Sequence, residues 1–416
     1  MIEVDLSNIW TCVSLPELLD CEQEMLRAHA SLREERENGH LMDWLHIPET
    51  ALRRQLRRVS EVAGLIKDDS DILLVCGCGG AYHGAEAAVQ AMGAVSGTEI
   101  VFIGQSLDAR QWKALDRKLE GKHYSLYILC AEGAVASNLT VRALRWMMER
   151  KYGDEAKRRI YVATLVGSYL HNMAQEEGYE LFPMPKEPGG RESVLTAAAL
   201  VPMAVAGMDP MAVMTAAAQS DRDLDLRAFE NPAWLYAAAG YLMVKKGRAT
   251  ELLCLTDHDL VGLGKWLGHR RSLDAPALGV QSVLLPGQQE LADSLALRSD
   301  RIFETFLRFD PPTQKIPVEM DWKDYDGLGF LAGKNISFVQ EHMTAAMAEV
   351  HNDAGVPILT VGAGIRDDGN FGAMLHFFEF SSLLTAVLLG HDPFTPLDAV
   401  TQRQALQDMG APSVDR

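Results

Sequence analysis

Short apolar runs alternate with amphipathic segments along most of the chain. In the segment 135–150, for example, Leu139, Ala143, Trp146 and Met147 recur at helical spacing and share one face. Short apolar strands separated by such helices at roughly 25–30 residue intervals indicate βαβ units and a parallel sheet. The predicted strands are 72–75, 100–103, 126–129, 160–165, 251–255, 281–285, 302–309 and 356–361.

This pattern runs through two cycles, which predicts an α/β protein with two doubly wound parallel sheets and peripheral helices. Residues 1–60 are rich in charged and helix-favouring residues, so we expect an N-terminal helical segment there. The mostly apolar segment 370–389 is predicted to be a helix buried between layers. The predicted divisions are an N-terminal segment 1–60, α/β subdomains 61–190 and 191–395, and a C-terminal tail 396–416.

Composition restricts the classes of partner. The chain of 416 residues carries 39 Lys and Arg against 57 Asp and Glu, a formal net charge of −18. This charge opposes a nucleic-acid backbone or an anionic membrane, and we expect neither as a partner. Six cysteines are too few for a disulfide scaffold, and the N-terminus has no signal-peptide pattern. We therefore expect a reduced, cytoplasmic protein, in which an anionic metabolite would need an amide-rich or positive pocket.

A glycine-rich turn follows the first predicted strand. The stretch 77–84 reads GCGGAYHG and opens a predicted helix, so Gly79, Gly80 and Ala81 could present backbone N–H groups to an anion. A tight turn without a ligand is the alternative. Tyr82 stands where a dinucleotide fingerprint needs glycine, and Gln105 where it needs a carboxylate, which weighs against a dinucleotide-dependent enzyme.

A second candidate is Arg191, directly after Gly189 and Gly190 and before a predicted helix. An arginine held there could present its planar fork to an oxyanion, although a surface arginine is the alternative. Cys76 and Cys78 lack a second ligand pair at zinc spacing, so we expect no metal and no cofactor. His351 is expected to be structural, and the basic cluster 269–271 to lie in a solvated loop.

Six blocks, in order between about residues 70 and 405, resemble phosphoglucose isomerase (glucose-6-phosphate isomerase) of the compact bacterial kind. The resemblance implies two sugar-isomerase (SIS) subdomains, a homodimer with sites completed across the interface, and a role in glycolysis and gluconeogenesis. The blocks are LLVCGCGGAYHGAEAA, GYELFPMPKEPGGRESVLTAAALVPMAVAGMD, NPAWLYAAA, RIFETFLRF, VHNDAGVPIL and FFEFSSLLTAVLLGHDPF.

The resemblance also implies a chemistry. A carboxylate base moves a proton between C2 and C1, a histidine with a nearby lysine opens the sugar ring, and an arginine stabilises the enediol oxygens. The family holds the phosphate with a Gly-Gly-Ser turn and a Ser/Thr-rich loop. Here the turn is Gly79-Gly80-Ala81, without the hydroxyl. The loop falls on 130–136, where Glu132 and Gly133 stand among residues without hydroxyls.

The catalytic segments of the family also differ here. Its base segment falls on 268–274, a loop by the resemblance, in which His269 and Asp274 are the residues able to take a proton. Its ring-opening histidine falls near Gln289, and a C-terminal lysine pair near Arg403. Arg191 keeps its Gly-Gly-Arg setting.

Two functions remain open at this point. The first is an aldose–ketose isomerase with a rewired site, using Asp274 or His269 as base and Arg191 for the oxyanions, on a sugar or sugar phosphate. The second is a catalytically inactive relative of the family that binds a sugar or a protein partner for regulation. Retained fold-forming blocks with altered chemical positions are compatible with both, since function resides in the site.

Overall fold

The computed structural model describes residues 2–37, 49–93, 95–131, 135–184, 194–227, 229–297, 300–311, 314–394, 404 and 408–409. The strands are β1 (Glu3–Asn8), β2 (Ile72–Cys78), β3 (Glu99–Ile103), β4 (Tyr124–Cys130), β5 (Ile160–Leu165), β6 (Glu180–Met184), β7 (Thr250–Leu255), β8 (Gly279–Leu284), β9 (Ile302–Arg308) and β10 (Ile358–Gly362).

Helices connect these strands. They are α1 (Leu15–Asp20), α2 (Glu22–Glu37), α3 (Glu49–Asp69), α4 (Gly80–Met92), α5 (Ala109–Leu119), α6 (Val135–Tyr152), α7 (Tyr169–Glu177), α8 (Ala197–Ala206), α9 (Pro210–Leu224), α10 (Pro232–Lys245), α11 (Val261–Asp274), α12 (Gln289–Ala296), α13 (Ile336–Asp353) and α14 (Asp368–Leu388).

The chain forms two compact units. Unit A comprises residues 39–89, 93–211 and 393–416, and unit B comprises 1–38, 90–92 and 212–392. The contacts therefore divide the chain differently from the predicted boundaries. The N-terminal residues pack with the second half of the chain because β1 pairs with β10 and Arg36 contacts Asp221, 2.7 Å from Nη2 to Oδ1.

Unit A is built on a parallel sheet of order β3-β2-β4-β5-β6. The predicted strands β2 to β5 are confirmed, and all seven residues of β4 are buried. Burial on both faces explains their near-continuous apolar runs, since helices cover the two sides of a parallel sheet. The helix predicted after Arg191 is α8, which packs on α3 and the sheet of this unit.

Unit B has the sheet order β1-β10-β9-β7-β8. Strands β7 to β10 are parallel and were predicted, but β1 runs antiparallel to β10. The expectation of a purely parallel second sheet is thus corrected by this edge strand. Helix α14 is long and apolar enough to cross a membrane, yet 89% of its most apolar window is buried inside the protein. It packs on α2, α10 and α11, as expected of a core helix.

Local sequence explains where helices begin. Asn231 caps α10: its Oδ1 accepts hydrogen bonds from the N–H groups of Ala233 and Trp234, at 2.8 and 3.3 Å. Pro232 follows at the first helical position, where its missing N–H costs nothing.

Candidate functional site

In unit A, the parallel strands bring their carboxyl ends to one edge of the sheet, the usual place for ligands in such sheets. The glycine turn lies at this edge, at the end of β2. Gly79 has a backbone φ angle of 90°, which residues other than glycine rarely adopt. Gly80 then begins α4, and Ala81 is buried. Because Gly79 has no side chain to cap the first-turn N–H groups of α4, the backbone can face an anion there.

The end of β2 is tightly supported by its neighbours. A Cβ on Gly77 would lie 1.9 Å from the Leu129 carbonyl oxygen of β4, so only glycine fits. Gln105 donates from Nε2 to the Gly77 carbonyl oxygen at 2.6 Å. Gln105 therefore ties the segment after β3 to β2. Its role here is structural, in the place where a dinucleotide enzyme would carry its ribose-binding carboxylate.

The end of β4 is the second element of this edge. Thr164 donates from Oγ1 to the Ala131 carbonyl oxygen at 3.1 Å, and its hydroxyl lies 3.0 Å from Ser168 Oγ. These two hydroxyls lie within and after β5, outside the loop that the resemblance identified, and sequence reasoning missed them. Their Ser/Thr identity in a Thr-x-x-x-Ser spacing was the available signal. They hold the chain where it leaves β4.

Two cysteines meet at the same edge. Cys78 and Cys130 are paired in the β2–β4 register, and their Sγ atoms lie 3.2 Å apart. Cys78 Sγ is also 3.6 Å from Ser137 Oγ, at the start of α6. Hydrogen bonding with Cys78 and burial raise the pKa of the Cys130 thiol well above its ordinary value. Cys76, Cys130 and Cys254 are buried.

In unit B, the segment 268–274 differs from its predicted form. It is the last part of helix α11, and Arg270 and Arg271 are buried. The prediction of a solvated loop was wrong because acidic side chains, some from distant parts of the chain, form ion pairs with both guanidinium groups. Arg270 Nη2 lies 3.3 Å from Asp274 Oδ2, and Nη1 lies 3.8 Å from Glu379 Oε1 of α14.

The two candidate bases have different environments. Asp274 is 1% exposed and contacts Arg270 inside unit B, whereas His269 is half-exposed on α11. A general base must come within hydrogen-bond reach of the proton that it removes, so access separates the two residues. The role of base stays a prediction for each of them.

Arg271 belongs to a separate buried cluster. Its guanidinium lies 5.1 Å from the centre of the Tyr236 ring and 3.9 Å from Glu251 Oε2. Glu251 Oε1 accepts hydrogen bonds from Tyr236 at 2.5 Å and from Thr305 at 2.6 Å. Burial, followed by the charge of Glu251, raises the pKa of Tyr236 well above its ordinary value. The cluster therefore places the Glu251 carboxylate beside a neutral tyrosine.

Gln289 opens α12 and leads to a third network. Its Nε2 donates to Asp293 Oδ1 at 2.8 Å. The same oxygen lies 2.9 Å from His351 Nε2, and His351 Nδ1 lies 2.8 Å from Glu304 Oε1. Burial alone would lower the pKa of His351, but hydrogen bonds with Glu304 and Asp293 give it a raised pKa. The predicted structural role agrees with the complete burial of this histidine.

The other predicted site residues, namely Glu132, Gly133, Gly190, Arg191 and Arg403, lie outside the described residues. Among the described residues, no group of three or more His, Cys, Asp or Glu side chains is placed to hold a metal ion. In the part of the chain that the structure describes, unit A thus contains the glycine turn with its cysteine pair, and unit B separately contains the predicted residues of α11 and α12.

Comparison with known proteins identifies the family. No protein-family model matches the chain. Glucose-6-phosphate isomerase of Bacillus cytotoxicus is 31% identical over 413 residues, covering 94% of this chain and 92% of the relative. Glucose-6-phosphate isomerase of Symbiobacterium thermophilum is 34% identical over 404 residues, covering 91% and 89%.

Solved structures agree at the level of the fold. A hypothetical protein of Thermus thermophilus superposes with a TM-score of 0.84 at 18% identity, covering 98% of this chain and 99% of that one. A glucose-6-phosphate isomerase of Chlamydia trachomatis superposes with a TM-score of 0.71 at 15% identity, covering 87% and 75%. Two parallel-sheet units, the glycine turn after β2 and sequence identity above 30% along nearly the whole length together place this chain in the glucose-6-phosphate isomerase family.

Proposed function

We propose that this protein is an aldose–ketose isomerase for a sugar of the glucose-6-phosphate type, with a site that departs from the family's residue pattern. Family membership supports the reaction class. The observation that carries the proposal is the Gly79–Ala81 turn, which begins α4 without a capping side chain of its own at the ligand-binding edge of the unit A sheet. Backbone N–H groups and the helix dipole there can hold a phosphate without the missing serine hydroxyl.

The general base is assigned by the exposure of the two candidate side chains, because the base must reach the substrate. We propose His269, half-exposed on α11, as the group that moves the proton between C2 and C1. Asp274 then acts indirectly, by fixing Arg270 on the same helix. A histidine suits the task because its pKa lies near neutral pH.

The remaining roles follow the family pattern. Arg191 stabilises the developing negative charge on the enediol oxygens, and Arg403 supplies the cation of the family's lysine pair. Gln289 cannot titrate, so at the ring-opening position it orients the ring oxygen by hydrogen bonding. The protein needs no cofactor for this chemistry, because the reaction moves protons only.

A second function is a sugar-binding protein without turnover. Two observations favour it: Asp274 is 1% exposed and therefore withheld from a substrate, and Gln289 replaces a titratable group. Loss of a general base typically costs about 10²–10⁴-fold in rate, and loss of an oxyanion partner costs a similar factor. Such a protein would retain affinity for the sugar and report its concentration to another protein.

We also propose that the protein works in the cytoplasm as a homodimer. The low number of cysteines and the resemblance to enzymes of sugar metabolism support the location. Exposed aromatic side chains in unit B support self-association.

The deciding experiment follows the C2 proton. Purified protein is incubated in D₂O with glucose 6-phosphate, fructose 6-phosphate or unphosphorylated glucose. For the two aldoses, ¹H NMR records loss of the C2–H signal and formation of the ketose; for fructose 6-phosphate, which has no C2 hydrogen, it records exchange of a C1 hydrogen and formation of the aldose. An isomerase with His269 as base exchanges the proton, and His269→Gln reduces the rate about 10²-fold or more. Asp274→Asn, the matched variant on the same helix, should act mainly on stability.

Each outcome has a distinct meaning. Exchange that is lost in Asp274→Asn but kept in His269→Gln, with both variants folded, would reverse the base assignment. Sugar-dependent thermal stabilisation without any exchange would establish the binding function instead. Neither exchange nor stabilisation with any of the three sugars would refute both.

A further inference from the structure

The Cys78–Cys130 pair has the geometry of a disulfide that has not closed. β2 and β4 are adjacent parallel strands, and the two cysteines are direct partners in their register. Neighbouring strands lie about 4.8 Å apart, within the range of Cα separations of about 4.4–6.8 Å found in disulfides. The Sγ atoms are 3.2 Å apart, so both side chains already point at each other.

The two thiols have unequal access. Cys78 is partly exposed at the carboxyl end of β2, next to the turn at Gly79. Cys130 is 1% exposed, and Cys76 on the same strand as Cys78 is completely buried. An oxidant in solution therefore meets Cys78 first, and Cys130 is positioned to react with the product. This is the arrangement of an accessible cysteine with a resolving partner.

We propose that Cys78 and Cys130 form a reversible intramolecular disulfide in response to a peroxide. In the first step the Cys78 thiol reduces the peroxide O–O bond, giving the sulfenic acid and one water. In the second, the Cys130 sulfur attacks the Cys78 sulfur, the S–O bond breaks, and a second water leaves. Two thiols and one hydrogen peroxide thus give one disulfide and two waters. A thiol reductant reverses the reaction by thiol–disulfide exchange.

Closure acts on the candidate ligand edge. The S–S distance falls from 3.2 Å to about 2.05 Å beside Ser137 at the start of α6, whose Oγ lies 3.6 Å from Cys78 Sγ. Cys78 directly precedes Gly79, and Cys130 is the first residue of the segment that aligns with the family's phosphate loop. We therefore expect oxidation to shift the residue that directly precedes the Gly79 turn. This consequence rests on the proposed function, whereas the crosslink itself does not.

The crosslink is tested by mass spectrometry. The full-length protein is treated with one equivalent of hydrogen peroxide, the remaining thiols are alkylated, and tryptic fragments are analysed. We expect residues 68–110 joined to residues 123–142, with two fewer alkylated thiols and full reversal by dithiothreitol. Because Cys76 shares the first fragment, the Cys76→Ala variant must give the same crosslink. Cys130→Ala should give none, and Cys12→Ser, which removes a half-exposed thiol of unit B, should give it unchanged.

Absence of the crosslink, or stable sulfinic acid at Cys78 in wild-type protein, overturns the proposal. Circular dichroism tests whether Cys130→Ala is folded. If this variant is unfolded, Cys130→Val replaces it in the experiment.

Coupling to the ligand is tested separately by titrating reduced and oxidised protein with glucose 6-phosphate. We expect affinity to fall about tenfold on oxidation and to return on reduction, with no such change in Cys130→Ala. A crosslink that leaves sugar affinity unchanged overturns the coupling. If reduced protein binds no sugar, the proposed function fails while the crosslink result still stands.

Discussion

Glu132 is the acidic side chain that the resemblance places against a sugar phosphate. At ~4 Å and an effective dielectric constant near 20, two like charges repel by about 4 kcal/mol, and exposure to solvent reduces this. We expect Glu132→Ser to increase affinity for glucose 6-phosphate about tenfold or more, measured by calorimetry. Affinity for unphosphorylated glucose should not change, since no second negative charge is present.

Glu120→Ser is the matched control, because Glu120 is an exposed glutamate at the end of α5. If Glu120→Ser improves affinity as much as Glu132→Ser, the effect is one of net charge and not of a local contact. An unchanged or lower affinity in Glu132→Ser would place Glu132 outside the phosphate site.

His351 gives a pH-dependent prediction. Its pKa is raised in the folded protein, because the hydrogen bonds with Glu304 and Asp293 outweigh burial. Its protonation therefore contributes stability that is fully present below about pH 6.5, the unfolded value, and is lost as pH rises through the folded value. The free energy of unfolding should differ between wild type and His351→Gln by more at pH 5.5 than at pH 9, measured by urea unfolding.

His123→Gln is the control for this comparison, since His123 is exposed in unit A. Its difference from wild type should be small at both pH values. A wild-type advantage over His351→Gln that grows with pH would contradict the raised pKa.

At the scale of elements, two glycines within helices allow the effect of close packing on stability to be compared with the effect of helix propensity. A Cβ on Gly372 of α14 would lie 2.4 Å from the Val213 carbonyl oxygen of α9, and backbone cannot yield easily. Gly372→Ala should therefore destabilise the protein by about 1–3 kcal/mol or more. On α3, a Cβ on Gly64 would meet nothing within 4 Å, so Gly64→Ala should stabilise it by about 0.5–1 kcal/mol. Urea unfolding of both variants measures the contrast; equal effects would refute it.

The pattern of the sequence predicted the eight strands that form the interior of the sheets and one edge of each, but missed β1 and β6. β1 is an edge strand with few apolar residues, within a charged region. β6 contains Pro183, which sequence rules exclude from central strands but which an edge strand tolerates. Periodicity detects burial, so edge strands that are partly solvated give little signal.

The conformation of 268–274 could not be predicted for a different reason. Its two arginines were predicted to be solvated because Glu251 and Glu379, two of the carboxylates that form ion pairs with them, are distant in sequence. A buried guanidinium is tolerated only with such partners, and only the fold brings them together. Alignment to the family named candidate site residues, but it could not show whether these residues are buried or which groups they contact in the folded chain.

At the scale of the whole molecule, the family fold is present, whereas altered residues at the family's substrate-binding positions stay a prediction from the resemblance. Identity of 31–34% over about 90% of the chain accompanies both sheets and the glycine turn. Because the protein has a net charge of −18, it does not attract an anionic sugar phosphate over long range, so binding would depend on local contacts. In the proposed function, backbone amides at the start of α4 hold the anion, and this contact does not depend on side-chain hydroxyls.

Self-association is the last property at this scale. In unit B, the segment 314–338, here called the apolar arm, exposes Trp322 (88%), Tyr325 (82%) and Phe330 (74%). Backbone hydrogen bonds fix the arm, including Val318 N–H to the Lys334 carbonyl at 2.8 Å. Three such aromatics can bury roughly 400–600 Å², a large share of the about 800 Å² per partner in a stable interface.

We therefore expect a homodimer by light scattering at micromolar concentration, and a monomer when Trp322, Tyr325 and Phe330 are all replaced by serine. Because these side chains are exposed within the chain, the triple variant should keep the circular dichroism spectrum of the wild type. Trp146→Ser, which removes an exposed tryptophan of unit A, should stay dimeric. A monomeric wild type would refute the dimer, and a dimeric triple variant would place the interface elsewhere than the apolar arm.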